Sequence, residues 1–331
     1  MEGNGVTARD IDGAAWAANP FVARATERLS LVTRGTYLRI LKLPITADRA
    51  ICLQRHRLYA PDKYAGVAES REFATALDQP WPELLRGGIV FNGASTHWHF
   101  LIDGLGSLRG LSRLGARTLY VDAGVTDDQV AFLVAFARAA GIDDCPAVVR
   151  LAGELFRFVD CVFPCRSEIT EAVSWVRSVL RVEHSVPVGG PARIFVARGT
   201  SGVRRLVNEE EVRAMLERDF GFQTVDPHSL TLEGQRDAFG SARVIVGPHG
   251  AGLANAIFAR APVAIVELYH STLQHFFGAL SEVLGARYLA VRGEALAAPS
   301  ADARQRRPDN ADYRVDPEAL AAKLASVAQR G

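Results

Sequence analysis

Between residues 192 and 292 the apolar positions fall into short runs separated by longer amphipathic stretches. Arg193–Ala197 reads as a strand, and a helix opens after it at Asn208, where Asn208 and Glu211 make a capping-box pattern. Gln223–Val225 predicts a second strand, Thr231 to about Ala242 a helix, and Val244–Val246 a third strand. Strand Val263–Leu268, helix Thr272–Leu284 and strand Arg287–Val291 complete the series. Strands that alternate with short helices in this way predict a parallel sheet covered on both faces. In such sheets the crossovers are right-handed and ligands sit beyond the carboxyl ends of the strands.

The first half is similar in kind and less regular. Gly88–Phe91 is strand-like, Thr96 to Arg113 helix-like, and Thr118–Asp122 a strand. Thr126 and Gln129 then open a helix that ends near Gly141, and segments around Val148–Leu151 and Phe158–Phe163 add strands. The stretch Val182–Pro191, with Pro187, Gly189, Gly190 and Pro191, marks a domain boundary. At 331 residues the chain is too long for one ordinary core,. The expectation is an α/β domain over 1–185 and a Rossmann-like domain over 190–300, two parallel-sheet units facing a cleft. Residues 301–331 then form a loop and a C-terminal helix. Ala295–Arg307 looks like an exposed loop, and Asp316-Pro317 starts that helix with a capping Asp and a first-turn Pro.

Chemistry enters where the third strand of the second domain ends. Residues 243–255 read Arg-Val-Ile-Val-Gly-Pro-His-Gly-Ala-Gly-Leu-Ala-Asn, with helix-forming sequence from Leu253 to Phe258. Gly250 and Gly252 allow backbone conformations closed to other residues and close approach of a ligand. The N–H groups of the first helical turn and the helix dipole favour an anion there, a phosphate or a diphosphate. Arg198, Arg204 and Arg205 flank the loop Gly199–Val203 at the end of the first strand. Their guanidinium forks suit phosphate oxygens, and a solvated basic loop is the alternative. Glu267 closes the next strand, where dinucleotide-binding folds hold ribose hydroxyls. The alternative is a strand-end Glu paired with an Arg. His249, inside the turn, either donates to a phosphate oxygen or braces the loop.

The first half carries its own group, His97-Trp98-His99 with Asp103. On a helix His99 and Asp103 share one face, and a carboxylate beside an imidazole serves as a general base directly or by orienting the ring. His97 and His99 lie two apart and point away from each other, which speaks against a metal site. Polar residues at a helix start are the alternative. Cys161 and Cys165, His270, His275 and the Trp residues read as packing.

Composition narrows the field further. The chain is 48% hydrophobic and 23% charged with net charge +1, so no global field attracts nucleic acid,. Apolar runs stop well short of the ~18 residues of a membrane span. Met1–Asp12 lacks the order of a signal peptide. Cys52, Cys145, Cys161 and Cys165 show no framework spacing, and Cys161 and Cys165 bracket Val-Phe-Pro, which is wrong for a tight zinc knuckle,. A reduced, cytoplasmic setting is the simplest expectation.

Three blocks together resemble glycosyltransferase family 61, whose bacterial members are often described as capsular polysaccharide biosynthesis proteins. They are His-Trp-His-Phe-Leu-Ile-Asp-Gly-Leu at 97–105, Arg-Ile-Phe-Val-Ala-Arg at 193–198 with Arg-Arg-Leu-Val-Asn-Glu-Glu-Glu at 204–211, and Gln235 through Phe258 followed by Glu267. The resemblance covers roughly 90–290 and does not extend to the first ~85 residues. It implies a GT-B-like fold and an inverting transferase that needs no catalytic metal or cofactor beyond its nucleotide diphosphate sugar donor. The acceptor would be a hydroxyl of a glycan or glycolipid in surface polysaccharide synthesis, with peripheral contact at the inner face of a membrane. Asp103, helped by His99, would be the base. The donor-binding set would be Arg198, Arg204, Arg205, Asn208, His249, Gly250, Ala251, Gly252, Leu253, Asn255 and Glu267, with Glu267 on the ribose. Ala254 stands where many relatives carry Thr.

Rival readings are an NAD(P)-binding oxidoreductase, an esterase and a non-catalytic nucleotide-sugar-binding protein. Against the first, two strand–helix units precede the glycine turn, and Gly252-Leu-Ala-Asn255 lacks the third glycine. Against the second, the chain has no Gly-x-Ser-x-Gly elbow. The third stays open.

Overall fold

A computed structural model describes residues 22–23, 28–34, 39–44, 50–54, 84–86, 88–91, 96–111, 118–142, 146–151, 157–159, 163–164, 167–184, 189–198, 204–260, 263–271, 276–296 and 310–328. Expectations placed on Met1–Asp12, Cys145, Cys161, Cys165, the loop Gly199–Val203, residues 272–275 and most of Ala295–Arg307 lie outside the described residues. The chain forms two compact units, Met1–Val179 and Leu180–Gly331.

In the second unit five strands form one sheet: β1 (Arg193–Val196), β2 (Gln223–Val225), β3 (Val244–Pro248), β4 (Ala264–Tyr269) and β5 (Arg287–Arg292). All neighbours are parallel, in the order β2-β1-β3-β4-β5. Helices α1 (Glu209–Phe220), α2 (Leu232–Gly240) and α3 (Phe276–Leu284) make crossovers, and α4 (Pro317–Ala328) ends the described chain. The strands begin and end within two residues of the sequence expectation, as short Val/Ile runs between breakers should. The order reverses between β1 and β3, neighbours in the sheet although β2 separates them in sequence. Loops leaving the carboxyl ends of two such strands diverge, and the crevice between them is the usual ligand seat.

Successive strand residues alternate faces. Phe195, Val246, Val266, Leu268 and Val291 pack with Val212, Met215 and Leu216 of α1 and with Tyr313, Val315, Leu320 and Leu324 near the C-terminus. Each buried Leu there contributes about 1.5–3 kcal/mol, so α4 is part of this core. Ile194, Ile245 and Ile265, equally buried, face the other way, toward α2, α3 and a short 3-10 helix at Ala251–Phe258. Glu267 shares the face of Ile265.

Caps divide into expected and unexpected. Thr231 accepts from the Gly234 N–H (3.1 Å), and Asp316 accepts from the Glu318 N–H (3.0 Å). Asn208 is a correction: its side chain makes no capping bond to α1. It is buried, with Nδ2 donating to the Val315 carbonyl (2.8 Å) and Oδ1 accepting the Val315 N–H (3.1 Å). A buried backbone pair from the C-terminal segment takes up the amide, since leaving those groups unsatisfied inside the core is costly.

The first unit contains a parallel three-stranded sheet, Ile89–Val90, Thr118–Asp122 and Ala147–Leu151. A mixed sheet joins Arg28–Arg34, Arg39–Pro44 and Ala50–Gln54. Shorter pairs join Leu84–Arg86 to Arg157–Val159 and Val22–Ala23 to Phe163–Pro164. Helix Asp127–Ala139 has the expected capping box, Thr126 with Gln129. The helix expected over Thr96–Arg113 is shorter and different in kind. It runs from His97 to Ser107, and its centre, His99–Gly104, is π-helical. Gly106 lets it sit close to helix Ile169–Leu180, since a Cβ there would fall 2.5 Å from the Ala172 Cβ.

Candidate functional site

The glycine turn leaves β3 at the point where the sheet order reverses, beside the end of β1. There Arg198 Nη1 donates to the His249 carbonyl at 2.6 Å. Gly250 is required by this contact, because a Cβ would fall 2.0 Å from Nη1. Its backbone is extended (φ 167°, ψ 173°), so the freedom expected from Gly250 is steric and not conformational. Gly252 likewise makes room, with a Cβ meeting Val196 Cγ1 at 3.1 Å. The 3-10 helix that follows starts at Ala251. Leu253, expected among the donor ligands, is wholly buried and its backbone N–H donates to the Gly250 carbonyl at 3.1 Å, so it closes the turn and presents nothing to a ligand. Asn255 is buried and donates to the Gly252 carbonyl (3.2 Å), bracing the first turn.

Arg198 is a strained cation. Burial first, and then the charge of Arg204, lowers its guanidinium to about 10, against which Glu209 and Asp312 pull upward. The Glu209 carboxylate also accepts the Arg198 backbone N–H (3.2 Å). A buried guanidinium beside a second one is stabilised by an incoming anion more than an exposed one would be. Arg204 itself sits in the left-handed region (φ 57°), its N–H donating to Asn310 O at 3.1 Å. That conformation costs a non-glycine residue of order 1 kcal/mol and is characteristic of functional loops.

Arg205 turns elsewhere. It is mostly exposed, and Nε and Nη2 donate to Asp312 Oδ2 at 2.9 and 2.6 Å. Its backbone N–H meets Asp312 Oδ1 at 2.9 Å. Asp312, at the start of the C-terminal segment, was invisible to sequence reasoning, as nothing local ties it to residue 205.

Glu267 is the main correction. It is 0% exposed, one oxygen meets His249 Nδ1 and the other accepts from the Tyr288 hydroxyl. A ribose hydroxyl cannot reach a carboxylate enclosed in this way. Strand alternation turned the side chain inward, where burial demands that both oxygens be satisfied. Tyr288 went unremarked in the sequence; it sits two residues before Ala290, the register partner of Glu267.

In the first unit His99 Nδ1 and Asp103 Oδ2 are 2.5 Å apart. Asp103 is 8% exposed and His99 22%, so the imidazole is the outer member. The π-helical turn holding them is a rare geometry that recurs at functional sites. Of the expected packing residues, His270 is buried against the Tyr313 ring (5.0 Å) and Trp98 is buried; His275 lies outside the described residues. Among the described residues no three His, Cys, Asp or Glu side chains form a metal-holding group, and no helix is long and apolar enough to cross a membrane.

A glycine turn at the reversal point of a parallel sheet, with a buried arginine pressed on it, is an arrangement in which α/β proteins commonly seat anionic ligands. The family model described as Glycosyltransferase 61 matches residues 97–266, which include both histidine–carboxylate pairs except Glu267 itself. That is just over half of the chain, and the chain belongs to this family of glycosyltransferases. It takes a sugar donor and an acceptor accordingly. No match to a curated protein is found.

Proposed function

We propose that the chain is an inverting glycosyltransferase of the GT-B type that moves a sugar from a nucleotide diphosphate sugar to a hydroxyl of a glycan or glycoconjugate. The observation that carries this reading is Arg198, a buried cation pressed against the Gly250 turn and depressed by its surroundings. A diphosphate relieves that cost, and the Ala251 and Gly252 N–H groups add donors without a metal. Arg204 adds charge. Arg205 and Asn208 serve the C-terminal segment in this reading and are not carried forward as ligands.

The acceptor hydroxyl is a weak nucleophile, so a base must take its proton as it attacks the anomeric carbon. The His99–Asp103 pair has that role. The exposure order favours the imidazole as the group that receives the proton, with Asp103 orienting it through Nδ1. In-line attack opposite the diphosphate inverts the anomeric centre. The proposed setting is surface polysaccharide synthesis at the cytoplasmic face of a membrane. The dinucleotide alternative has lost its acid, because Glu267 is enclosed.

The test is calorimetric titration with nucleoside diphosphates, followed by a transfer assay with the tightest-binding donor. Binding without transfer by wild type across a panel of acceptors would favour a non-catalytic binding protein. Absence of any nucleotide binding would remove the donor seat.

A further inference from the structure

His249 is held at every point but one. Its backbone N–H donates to Leu268 O (2.7 Å), and its carbonyl accepts from Arg198 Nη1 (2.6 Å). Nδ1 meets the buried Glu267, and the ring stands edge-on to Phe277, 5.6 Å between centroids at 79°. Among the described residues Nε2 has no hydrogen-bond partner, and the side chain keeps 17% exposure. Rotating the ring away would strip a buried carboxylate of one partner, which is costly.

The protons in this cluster can be placed. Burial, and then the neighbouring Glu267, raise the Tyr288 hydroxyl well above its ordinary range, so it stays protonated and donates to Glu267. With Glu267 as a carboxylate, which only accepts, Nδ1 of His249 is the donor of their contact,. Nε2 then carries either a lone pair or a second proton. A diphosphate ester oxygen near neutral pH has no proton to give. Facing it, a neutral ring would oppose lone pair to lone pair, whereas an imidazolium donates a charge-assisted hydrogen bond. An anion on each side of the ring favours that cation.

We propose that His249 binds the donor's diphosphate as an imidazolium, that Glu267 and Tyr288 are the positioning residues that hold it so, and that donor binding takes up a proton at this histidine. The proposal rests on the glycine turn being the diphosphate seat. In transfer, the bond from the anomeric carbon to the diphosphate oxygen breaks with its electron pair staying on that oxygen. The acceptor oxygen forms the new bond to carbon, and its proton passes to the His99–Asp103 pair. His249 keeps its proton, and its hydrogen bond strengthens as charge builds on the leaving group.

The ionisable groups around the ring come from several elements. Glu267 faces it from β4, with Tyr288 from β5 behind, and Arg198 lies across the turn. Arg204, Glu209, Asp312 and Tyr313 surround Arg198, Tyr269 acts on Tyr288, and α3 contributes Phe277. Arg198 thus puts positive charge on the turn's side of the ring, and Glu267 puts a carboxylate directly against Nδ1.

The experiment titrates the full chain with uridine, guanosine, cytidine and deoxythymidine diphosphates from about pH 6 to about pH 9, the range in which an imidazole loses its charge. The tightest is repeated in buffers of different ionisation enthalpy. Wild type is expected to weaken as pH rises, by up to about tenfold per pH unit for one coupled proton, and to show net proton uptake. His249→Asn should remove the steepest part of that slope and the uptake, leaving only the ligand's own titration. Glu267→Gln should move the loss of affinity to lower pH, which a purely structural carboxylate would not do. Tyr288→Phe is the backup if Glu267→Gln fails to fold, with a smaller shift in the same direction. Binding by wild type with the same pH slope and proton count as His249→Asn overturns the inference alone. No binding of any of the four overturns it together with the donor seat.

Discussion

Each unit of the chain sets one imidazole against one carboxylate, and the two pairs are built in opposite ways. His99 and Asp103 are four residues apart on a single helical segment, so local geometry alone brings them together. His249 and Glu267 are 18 apart, on a turn and on the next strand, and meet only because Gly247 and Glu267 are register partners between β3 and β4. In the local pair the carboxylate keeps some exposure; in the tertiary pair it has none. The lesson is that a helix can offer a proton acceptor to a substrate cheaply, whereas a sheet can bury the carboxylate and so fix both the tautomer and the direction of the ring.

The largest expected effect breaks the local pair. Asp103→Asn should lower transfer by about 10²–10⁴-fold, the usual worth of a positioned acid or base, while nucleotide affinity stays at the wild-type value. Turnover near wild type would take this pair out of the chemistry. Next comes the ground under the tertiary pair. Arg198→Met should weaken nucleoside diphosphate binding by about 10–100-fold, corresponding to a charge-assisted hydrogen bond of roughly 1.5–3 kcal/mol. Lys at 198 should restore little of it, lacking the fork of donors. An unchanged Kd in the Met variant would move the donor elsewhere.

Gly250→Ala sharpens the same comparison. The backbone there accepts any residue, so folding should survive and the melting temperature should change little. The new Cβ displaces Arg198, however, and affinity should fall by several-fold, on the order of 1 kcal/mol. Combined with Arg198→Met it should add almost nothing, since both act through one contact; full additivity would show that Gly250 serves the ligand directly. The smallest functional effect belongs to Asn208→Ala. Losing the bonds to Val315 should cost about 1–3 kcal/mol of stability, read as a lower denaturation midpoint, with nucleotide affinity unchanged. A change in affinity larger than the change in stability would return Asn208 to the donor site.

Much of this was legible along the chain. The five strands of the second unit, the Thr126–Gln129 capping box, the Asp316 cap and the His99–Asp103 pairing are set by residues within four positions of one another. The π-helical turn at His99–Gly104 was not legible, because a helical pattern of apolar residues serves either winding. Asp312 and Tyr288 were missed for a different reason: each acts on a residue over 20 positions away, Arg205 and Glu267 respectively.

What the sequence by itself determined is therefore the alternation of elements, the glycine turn and the residue types available to an anion, all consequences of local propensity and spacing. Only the tertiary structure decided which of them lie together at the turn. The β2-β1-β3-β4-β5 order put Arg198 beside Gly250. Strand alternation and burial turned Glu267 from an expected ribose ligand into the support of His249, because an enclosed carboxylate must have both oxygens bonded.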